Sequence, residues 1–444
     1  MRARLIVGWL VVLTMVAAIG YAQAPPVKQL SLAEALQTAR ENNPSYLTTV
    51  SARSPASWAL TNATASLFTP TFGLSGSYAV RGAAGGQVIS GIPFGASPHI
   101  VEYSGQLGFG YQLSGTIIAN RGYAAAQLRA ADQDISGAQT VLETSVKEEY
   151  INLLEARAQA DLAQHVVGQA QELLNLAQAQ YNVGQKTIID VKQAQVTKGN
   201  ADVSLLQAQQ NVQVEVLKLY QLMGVPAPEP PDVVPTDTFA VVQPTYDQDS
   251  LVALALQENP LLLSYRAREG AARWSVTAAY SQYFPSFQAS VGTGRTYVQQ
   301  GPFSGQLASN YTQTSPWTLS VGVTLPIYDA FGRNVQIAQA RSQQESLTQS
   351  VRAQELTVRA TVGAAYLALV TAYQTIGVQA NNRAAADDAL TLAEEQYRVG
   401  SGSIIQLNDA QVASEQAGVA YVNAVYNYHK AVAALEQAVG RPLR

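Results

Sequence analysis

The 444-residue chain contains no cysteine and only three histidines, and 13% of its residues are charged. Without cysteine the chain forms no disulfide, performs no thiol chemistry and has no lipid-anchoring cysteine near its N-terminus. His99, His165 and His429 are scattered and show no metal-ligand spacing. No Gly-x-x-x-x-Gly-Lys phosphate loop occurs, and no nucleophile accompanies a base. We therefore expect a protein that is not an enzyme and that needs no cofactor or metal.

Charge is scarce, and long apolar runs are missing beyond the N-terminus. Ordinary soluble proteins carry about 25% charged residues, whereas here Gln, Asn, Ser and Thr supply the polarity. The net charge of −4 provides no basic surface, so we expect no nucleic-acid partner. A membrane-spanning helix needs about 20 apolar residues, and we find no such stretch after the N-terminus. If the protein lies in a membrane, we expect it to span by strands.

The N-terminus has the organisation of a secretory signal peptide. Arg2 and Arg4 form a charged region, residues 5–19 are apolar, and small residues follow. The tripeptide at residues 22–24, Ala-Gln-Ala, fits the small-x-small cleavage pattern. We predict that residues 1–24 are the signal peptide and that the mature chain begins between Gln23 and Pro25. An uncleaved anchor helix is the alternative.

The main feature of the rest of the chain is an internal duplication. The sequence YNVGQKTIIDV at residues 181–191 recurs as YRVGSGSIIQL at residues 397–407, an offset of 216 residues. The same offset relates Gly224 to Gly440 and Pro44 to Pro260. A constant offset over so long a span indicates two copies of one structural unit. We predict a first repeat at 25–224, an extended Pro-rich linker at 225–247 and a second repeat at 248–444.

Each repeat predicts the same order of elements. A capping box at Ser31 and Glu34 starts a helix over residues 30–47 that Pro44 redirects, with a counterpart at 251–267. Alternating apolar and polar residues then predict strands at 71–80, 101–113, 287–297 and 317–327. These strands have the length of tilted membrane-spanning strands, joined by long loops at residues 81–100 and 298–316. Four strands of a soluble sandwich are the alternative.

Helices of unusual length follow each strand pair. Residues 122–183 and 333–399 each predict a helix of about 90 Å at 1.5 Å per residue. Each ends at a Tyr-x-Val-Gly turn, where glycine tolerates the left-handed conformation, and a second helix starts at Thr187 or Ser403. The returning helices carry heptad rows, which favour a coiled coil over an ordinary amphipathic bundle: Ile189, Val196, Val203, Leu217; Leu205, Val212, Leu219; and Ile405, Val412, Val419, Tyr426, Ala433.

These features together resemble the TolC-like outer membrane efflux proteins. The most specific marks are the two turn sequences and LSVGVTLPIYDAFGR at residues 319–333; the first repeat lacks the proline of that segment. The resemblance implies an α+β membrane protein, internally duplicated. Three chains of four strands would form a trimeric 12-stranded transmembrane β-barrel, because four strands alone leave open edges. A long periplasmic α-helical coiled-coil barrel would continue it.

The resemblance also implies a function and partners. The chain would be an outer membrane channel-tunnel of a tripartite efflux or secretion system, with a large periplasmic extension. Its partners would be two further copies, a membrane-fusion adaptor protein, an inner-membrane pump and outer membrane lipid. A stand-alone diffusion porin and a structural coiled-coil spacer are the alternatives. The adaptor would contact the hairpin turns at Tyr181, Val183, Gly184, Tyr397, Val399 and Gly400.

The same resemblance assigns a gate to the hairpin turns. Asp190 and Tyr397 match residues that hold neighbouring coiled coils closed, whereas the usual arginine partner falls at Gly402. Asp409 matches one position of an acidic ring, and Gln406 replaces another carboxylate. Three copies of Asp409 near an axis would attract cations. We therefore expect a gate that is held less tightly and is less cation-selective than is usual in the family; solvated helix charges are the alternative.

Overall fold

The computed structural model describes residues 28–81, 87–89, 92–94, 100–300, 313–314 and 317–443. The predicted signal peptide and most of the two long loops lie outside these residues. The elements of the first repeat and the linker are β1 (Lys28–Leu30), α1 (Leu32–Asn42), α2 (Pro44–Ser51), α3 (Arg53–Ala65), β2 (Thr71–Arg81), β3 (Gln87–Ile89), β4 (Ile92–Phe94), β5 (Ile100–Leu113), α4 (Gly115–Asn182), α5 (Ile188–Met223) and β6 (Val233–Pro235). Those of the second repeat are α6 (Gln248–Glu258), α7 (Pro260–Ser281), β7 (Ser286–Gln300), β8 (Gln313–Thr314), β9 (Thr318–Thr324), α8 (Gly332–Arg398) and α9 (Ile404–Val439).

The short helices before each strand pair begin as the sequence predicts. The Ser31 hydroxyl accepts a hydrogen bond from the Glu34 backbone N–H and caps α1. Asn43 ends α1 and caps α2, and its side-chain amide donates to the Leu222 carbonyl at 2.7 Å. Asn259 repeats these contacts between α6 and α7 and donates to Ala438 at 3.1 Å. The 216-residue offset therefore extends to individual hydrogen bonds.

The predicted strands form one antiparallel sheet. β2 pairs with β5, β5 with β7, and β7 with β9, so the two repeats meet between β5 and β7. β9 ends at Thr324, three residues before the predicted end, because Leu325 and Pro326 begin the connection to α8. Within the part of the chain that the structure describes, no strand pairs with the outer edges of β2 and β9. The sheet therefore ends in two open edges.

The long helices form two antiparallel hairpins, α4 with α5 and α8 with α9. α4 contains 68 residues and α8 contains 67, so each extends about 100 Å from the sheet to the hairpin turn. α4 begins at Gly115, seven residues before the prediction, with the Ser114 hydroxyl as its cap. The returning helices have 36 residues each, so they cover only the distal half of their partners. The proximal half of α4 packs against α3 and α7 instead.

The Pro-rich linker is ordered and contributes to the core of the first repeat. β6 pairs in parallel with β1, and Val233 is fully buried beside Leu219 and Met223. The Tyr150 hydroxyl donates to the Leu30 carbonyl at 2.9 Å and accepts the Thr236 backbone N–H at 3.1 Å. The predicted extended conformation is present, and part of the segment packs against the core, whereas residues 238–243 are exposed.

One predicted heptad row is left largely exposed by the described residues of its own chain. Ile189, Val196, Val203 and Leu217 remain 50–68% exposed, whereas Leu219 of the second row is buried. In α9 the row is exposed at Ile405 and Val412 and becomes buried by Ala433. Most of the first row is therefore left uncovered by the described residues of its own chain. The heptad spacing identified an apolar face, but it does not identify the helix that covers that face.

The length and composition of α8 correct one further expectation. An 18-residue window of this helix is apolar enough and long enough to cross a membrane, and 17% of it is buried. The expectation that no such stretch follows the N-terminus is therefore wrong for α8. Length and composition alone do not place the helix in a bilayer. The exposed apolar residues of α8 occupy the same positions in the second repeat as residues of α4 occupy in the first. Those residues of α4 are buried or half-buried by other parts of the same chain.

Candidate functional site

The two hairpin turns lie side by side at the end of the molecule far from the sheet. Gly184 has φ 77° and Gly400 has φ 84°, the left-handed conformation that L side chains rarely adopt. Both turns use the same hydrogen bonds, in which the Gln185 N–H donates to the Gln180 carbonyl and the Ser401 N–H to the Gln396 carbonyl. The predicted turn is therefore formed twice, with the same geometry.

Both returning helices begin with a complete capping box. The Thr187 backbone N–H donates to the Asp190 carboxylate at 3.0 Å, and the Ser403 backbone N–H donates to the Gln406 side-chain oxygen at 3.1 Å. The Asp190 and Gln406 backbone N–H groups bond to the Thr187 and Ser403 hydroxyls in return. A glutamine accepts this hydrogen bond as well as a carboxylate does. Gln406 therefore preserves the helix start but brings no charge to the turn.

Two side chains from the first hairpin reach across to the second. Gln180 Nε2 donates to the Arg398 carbonyl at 3.1 Å. Lys186 Nζ donates to the Gly402 carbonyl at 2.9 Å and lies 4.6 Å from the centre of the Tyr397 ring. A cation over an aromatic face and a hydrogen bond to a carbonyl both stabilise this arrangement. Lys186 therefore contributes a cation to the contact between the two hairpins of the chain.

Tyr397 is the buried centre of this contact. Its side chain is fully buried in an apolar cluster with Leu173, Val191 and Leu407, which joins all four hairpin helices. Burial, with a smaller effect from the nearby Asp190 charge, raises the pKa of Tyr397 to about 12. Its hydroxyl has no hydrogen-bond partner among the described residues. Asp190 and Tyr397, which were predicted to form a gate pair, are therefore coupled through charge, and the Tyr397 hydroxyl makes no hydrogen bond to Asp190.

The carboxylates of the predicted gate occupy different environments. Desolvation by itself would raise the pKa of Asp190, but hydrogen bonds from Thr187 and the charge of Lys186 hold it below its ordinary value. Asp409 lies on the exposed side of α9. A Cβ at Gly402 would lie 3.0 Å from the Tyr397 backbone nitrogen, so this position has little room for a side chain.

The predicted adaptor surface is only partly exposed in the single chain. Val183 and Val399 are 70% and 73% exposed, and Tyr181 is 41% exposed. Tyr397 has no exposed side-chain surface, although it matches Tyr181 in sequence. Sequence reasoning missed Lys186 and Gln180. The one available signal was that Lys186 and Gly402 are 216 residues apart, which makes them equivalent positions with different side chains.

The sequence model of the outer membrane efflux protein family matches this chain twice, over residues 35–225 and 251–441. These two ranges are themselves 216 residues apart and together include both strand pairs and both hairpins. The chain belongs to the outer membrane efflux protein family. It is accordingly an outer membrane efflux channel, and the predicted resemblance is confirmed.

Curated relatives and solved structures agree with this membership. The chain is 24% identical over 423 residues to outer membrane protein TolC of Vibrio cholerae. The alignment covers 92% of this chain and 90% of that protein. VceC of Vibrio cholerae aligns with a TM-score of 0.75 at 18% identity, covering 93% of this chain and 97% of that one. The open-state MtrE channel of Neisseria gonorrhoeae aligns with a TM-score of 0.74 at 20% identity, and the alignment covers 93% of this chain and 89% of that one. The mostly helical fold with one small sheet is that of these channels.

Proposed function

We propose that three copies of this chain form a continuous export tunnel and that its hairpin tip receives a periplasmic adaptor protein joined to an inner-membrane pump. The chain acts as a conduit rather than an enzyme, so a partner supplies the energy. The observation that carries this proposal is the length of α4 and α8. Each joins a membrane-type strand to a turn about 100 Å away, a distance that a simple diffusion porin does not need.

The open sheet edges support assembly with further copies. Unpaired strand edges in a bilayer leave backbone groups without hydrogen bonds, so a membrane sheet must close. Within a chain, β5 of the first repeat pairs with β7 of the second. The equivalent contact beyond the chain joins β9 to β2 of the next copy. Repeating one such head-to-tail contact produces a ring, and three chains supply the twelve strands of the expected barrel.

The helices support the same head-to-tail contact. Within the chain α4 of the first repeat packs against α9 of the second, so the next copy would bring α5 against α8. Ile151 of α4 is 5% exposed, whereas its counterpart on α8, Leu367, is 61% exposed. Leu162 of α4 covers Gly418 of α9, whereas its counterpart Val378 is 58% exposed. The exposed face of α8 thus matches a face that α4 buries.

The uncovered heptad row of α5 is the complementary surface. Val203 and Leu217 are 52% and 50% exposed, although their counterparts in α9 are half-buried Val419 and buried Ala433. In this proposal α8 of a neighbouring copy covers them. The exposure of this row in the single chain is then explained, because in this proposal the row lies at an interface between chains.

A pair of tryptophans supports the contact nearer the sheet. Trp274 of α7 packs so closely on α4 that a Cβ at Gly122 would lie 2.3 Å from its ring. Its counterpart in the first repeat is Trp58 of α3, which is 69% exposed. The counterpart of Gly122 is Ala338, an exposed small residue on α8. Ala338 carries the Cβ that Gly122 lacks, so Trp58 of one copy would pack beside Ala338 of the next with its ring shifted to make room for that Cβ.

The connection between β9 and α8 supports contact with outer membrane lipid. Ile327, Tyr328 and Phe331 are 91%, 75% and 66% exposed. The Arg333 side chain, which is buried, donates to the Pro326 carbonyl at 2.9 Å and the Ile327 carbonyl at 3.2 Å. The turn is therefore fixed while its apolar side chains point outward. Aromatic residues beside the ends of barrel strands favour the membrane interface.

The tip contact is tested by placing a photo-crosslinking residue at Ser401 in living cells and identifying what it captures. Ser401 follows Gly400 in the second turn and is exposed. Capture of a periplasmic adaptor is expected. Capture of further copies of the same chain alone, with the protein in the outer membrane, would overturn the proposed tunnel in favour of a diffusion porin. The same residue at Asp388, an exposed position distant from the turn in α8, is the matched control.

A further inference from the structure

The first repeat pairs its opening strand with a strand of the linker. β6 lies parallel to β1, in register over three residues. The Leu30 carbonyl at the end of β1 accepts the Thr236 backbone N–H at 3.2 Å. Val233 of β6 is fully buried in the same apolar cluster as Tyr150. The added strand therefore supplies backbone hydrogen bonds and one buried valine.

Two side chains of α4 hold the backbone of this added strand. The Tyr150 hydroxyl accepts the Thr236 backbone N–H at 3.1 Å. The Arg157 guanidinium donates to the Val233 carbonyl. Recognition of backbone groups, with a few side chains in pockets, is the general way in which a protein receives an extended segment at a strand edge. The first repeat thus shows how this place accommodates an added strand.

The second repeat has the same place but brings no strand to it. Residues 244–246 are the counterpart of β1, and within the part of the chain that the structure describes no strand pairs with them. The backbone N–H and carbonyl of Tyr246 make no hydrogen bond to a described residue. Unpaired strand edges of this kind are where further strands add. We call residues 244–246, together with Tyr366 and Tyr373 of α8, the strand slot.

The side chains of the strand slot are suited to hold a backbone. Tyr366 and Tyr373 are the counterparts of the two side chains that hold β6. Their hydroxyls have no hydrogen-bond partner among the described residues. Tyr366 and Val432 are half-buried, whereas their counterparts Tyr150 and Val216 are fully buried. The core of the second repeat is therefore less covered where the first repeat has its added strand.

The charges beside the strand slot differ between the repeats. In the first repeat the Asp237 carboxylate follows β6 and accepts the Leu32 N–H at the start of α1, at 2.7 Å. In the second repeat the start of α6 carries Asp247 and Asp249 in place of neutral residues. Both are exposed, and neither forms an ion pair with a described residue. Two carboxylates outweigh the roughly half positive charge of a helix N-terminus, so they favour a cation in the place of Asp237.

We propose that the strand slot binds an extended segment of a partner protein, parallel to residues 244–246. The segment has a small β-branched side chain in the place of Val233 and a lysine or arginine four residues later. The site goes beyond the tunnel proposed above, because it lies far from the hairpin turns. Tyr366 and Tyr397 are 397 − 366 = 31 residues apart on α8, which is about 45 Å at 1.5 Å per residue.

Synthetic peptides test the strand slot on the full-length protein in detergent. The first peptide has the sequence of residues 232–238 with Asp237→Lys, the second retains Asp237, and the third combines Asp237→Lys with Val233→Asp. Fluorescence polarisation of labelled peptides measures their affinities. We expect the first peptide to bind about tenfold more tightly than either of the others, because the second brings a like charge to the acidic pair and the third buries a charge. Equal affinities, or no binding of the first peptide, would overturn the proposal.

Variants of the protein assign this binding to the strand slot. Tyr366→Phe retains the ring but removes the hydroxyl, so we expect about fivefold weaker binding, the effect of one hydrogen bond. Asp249→Lys should reverse the preference, so that the peptide with Asp237 binds more tightly than the peptide with lysine. Tyr421→Phe is the control for loss of a hydroxyl, because Tyr421 is a half-buried tyrosine of α9 that packs against Arg383. An unchanged affinity in Tyr366→Phe, or an unchanged preference in Asp249→Lys, would contradict the proposal.

A photo-crosslinking residue at Thr245, which is exposed, tests the partner in living cells. The expected result is a crosslink to another protein, at a segment in which mass spectrometry finds a β-branched residue four positions before a lysine or arginine. Crosslinks only to further copies of this chain, or to segments without that pattern, would overturn the proposal. Either result leaves the tunnel intact, since capture of an adaptor at Ser401 is a separate measurement.

Discussion

Replacing Trp58 with alanine tests the geometry of the trimer at a single side chain. Trp58 is 69% exposed in one chain, and its counterpart Trp274 is 39% exposed where it packs over Gly122. We expect Trp58 to lose a comparable area beside Ala338 of the neighbouring copy, after its ring shifts to make room for the Ala338 Cβ. Trp58→Ala should therefore weaken the trimer and leave the fold of each chain unchanged.

The size of the effect follows from the change in exposed area. A tryptophan side chain has up to about 250 Å² to bury, so a fall from 69% to 39% exposed removes roughly 75 Å² from water. At about 25 cal/mol per Å² this is about 2 kcal/mol for each contact. Three contacts per trimer then contribute about 6 kcal/mol, which shifts the concentration of half-dissociation by about a hundredfold.

The assay is a dilution series of the purified protein in detergent, with native mass measurement of trimer and single chain. Val242→Ala is the control, because Val242 is also largely exposed, at 64%, but lies in the linker, away from α3 and from the sheet. The expected result is earlier dissociation of Trp58→Ala than of Val242→Ala. Equal dissociation of the two variants would refute the repeat-based placement of α3 against α8.

Three further predictions concern titratable groups. Burial, and then the adjacent Glu215, raise the pKa of Glu149 from 4.5 to about 7. The free energy of unfolding should therefore fall as the pH rises from 4.5 to 7. In denaturant titrations, Glu149→Gln should remove this pH dependence. Burial lowers the pKa of His429 below 6.5, so as the pH drops the unfolded chain binds a proton at His429 before the folded chain does. The free energy of unfolding should therefore fall below pH 6.5, and His429→Phe should abolish that loss. The same loss of stability at acidic pH in the variant, measured in the same titrations, would contradict this prediction. Asp409→Ala should reduce cation selectivity and cation block in bilayer recordings. Asp388→Ala should change neither, because only Asp409 occupies the predicted ring position. Unchanged selectivity in both variants would contradict the prediction of an acidic ring.

The parts of the fold that depend on local chemistry were predictable from the sequence. Pro44 redirects the first helix because proline is tolerated at a helix start and excluded from its interior. The turns after Tyr181 and Tyr397 follow from glycines that adopt positive φ. Strand positions followed from alternation of apolar residues with small and polar ones. The duplication strengthened each of these predictions, because each had to hold twice.

The parts that depend on partners were not predictable in the same way. Tyr181 and Tyr397 occupy the same place in equivalent turns, yet one is 41% exposed and the other is buried, because only Tyr397 lies on the face where the two hairpins of the chain pack together. The contact of Lys186 with Gly402 depends on how two hairpins dock, which periodicity does not encode. Likewise, the heptad row at Ile189 indicated an apolar face but not which helix covers it, since the described residues of its own chain leave it exposed.

The central claim is that three chains build one tunnel from strands and long helical hairpins. The most direct measurement is single-particle electron microscopy of the full-length protein in lipid nanodiscs. The account predicts a threefold particle with twelve strands in the bilayer and a hollow helical extension of about 100 Å, given the rise of an α-helix. Within it, α8 of each chain should contact α5 of the next. A particle with another number of chains, or one with α8 facing solvent, would contradict the account.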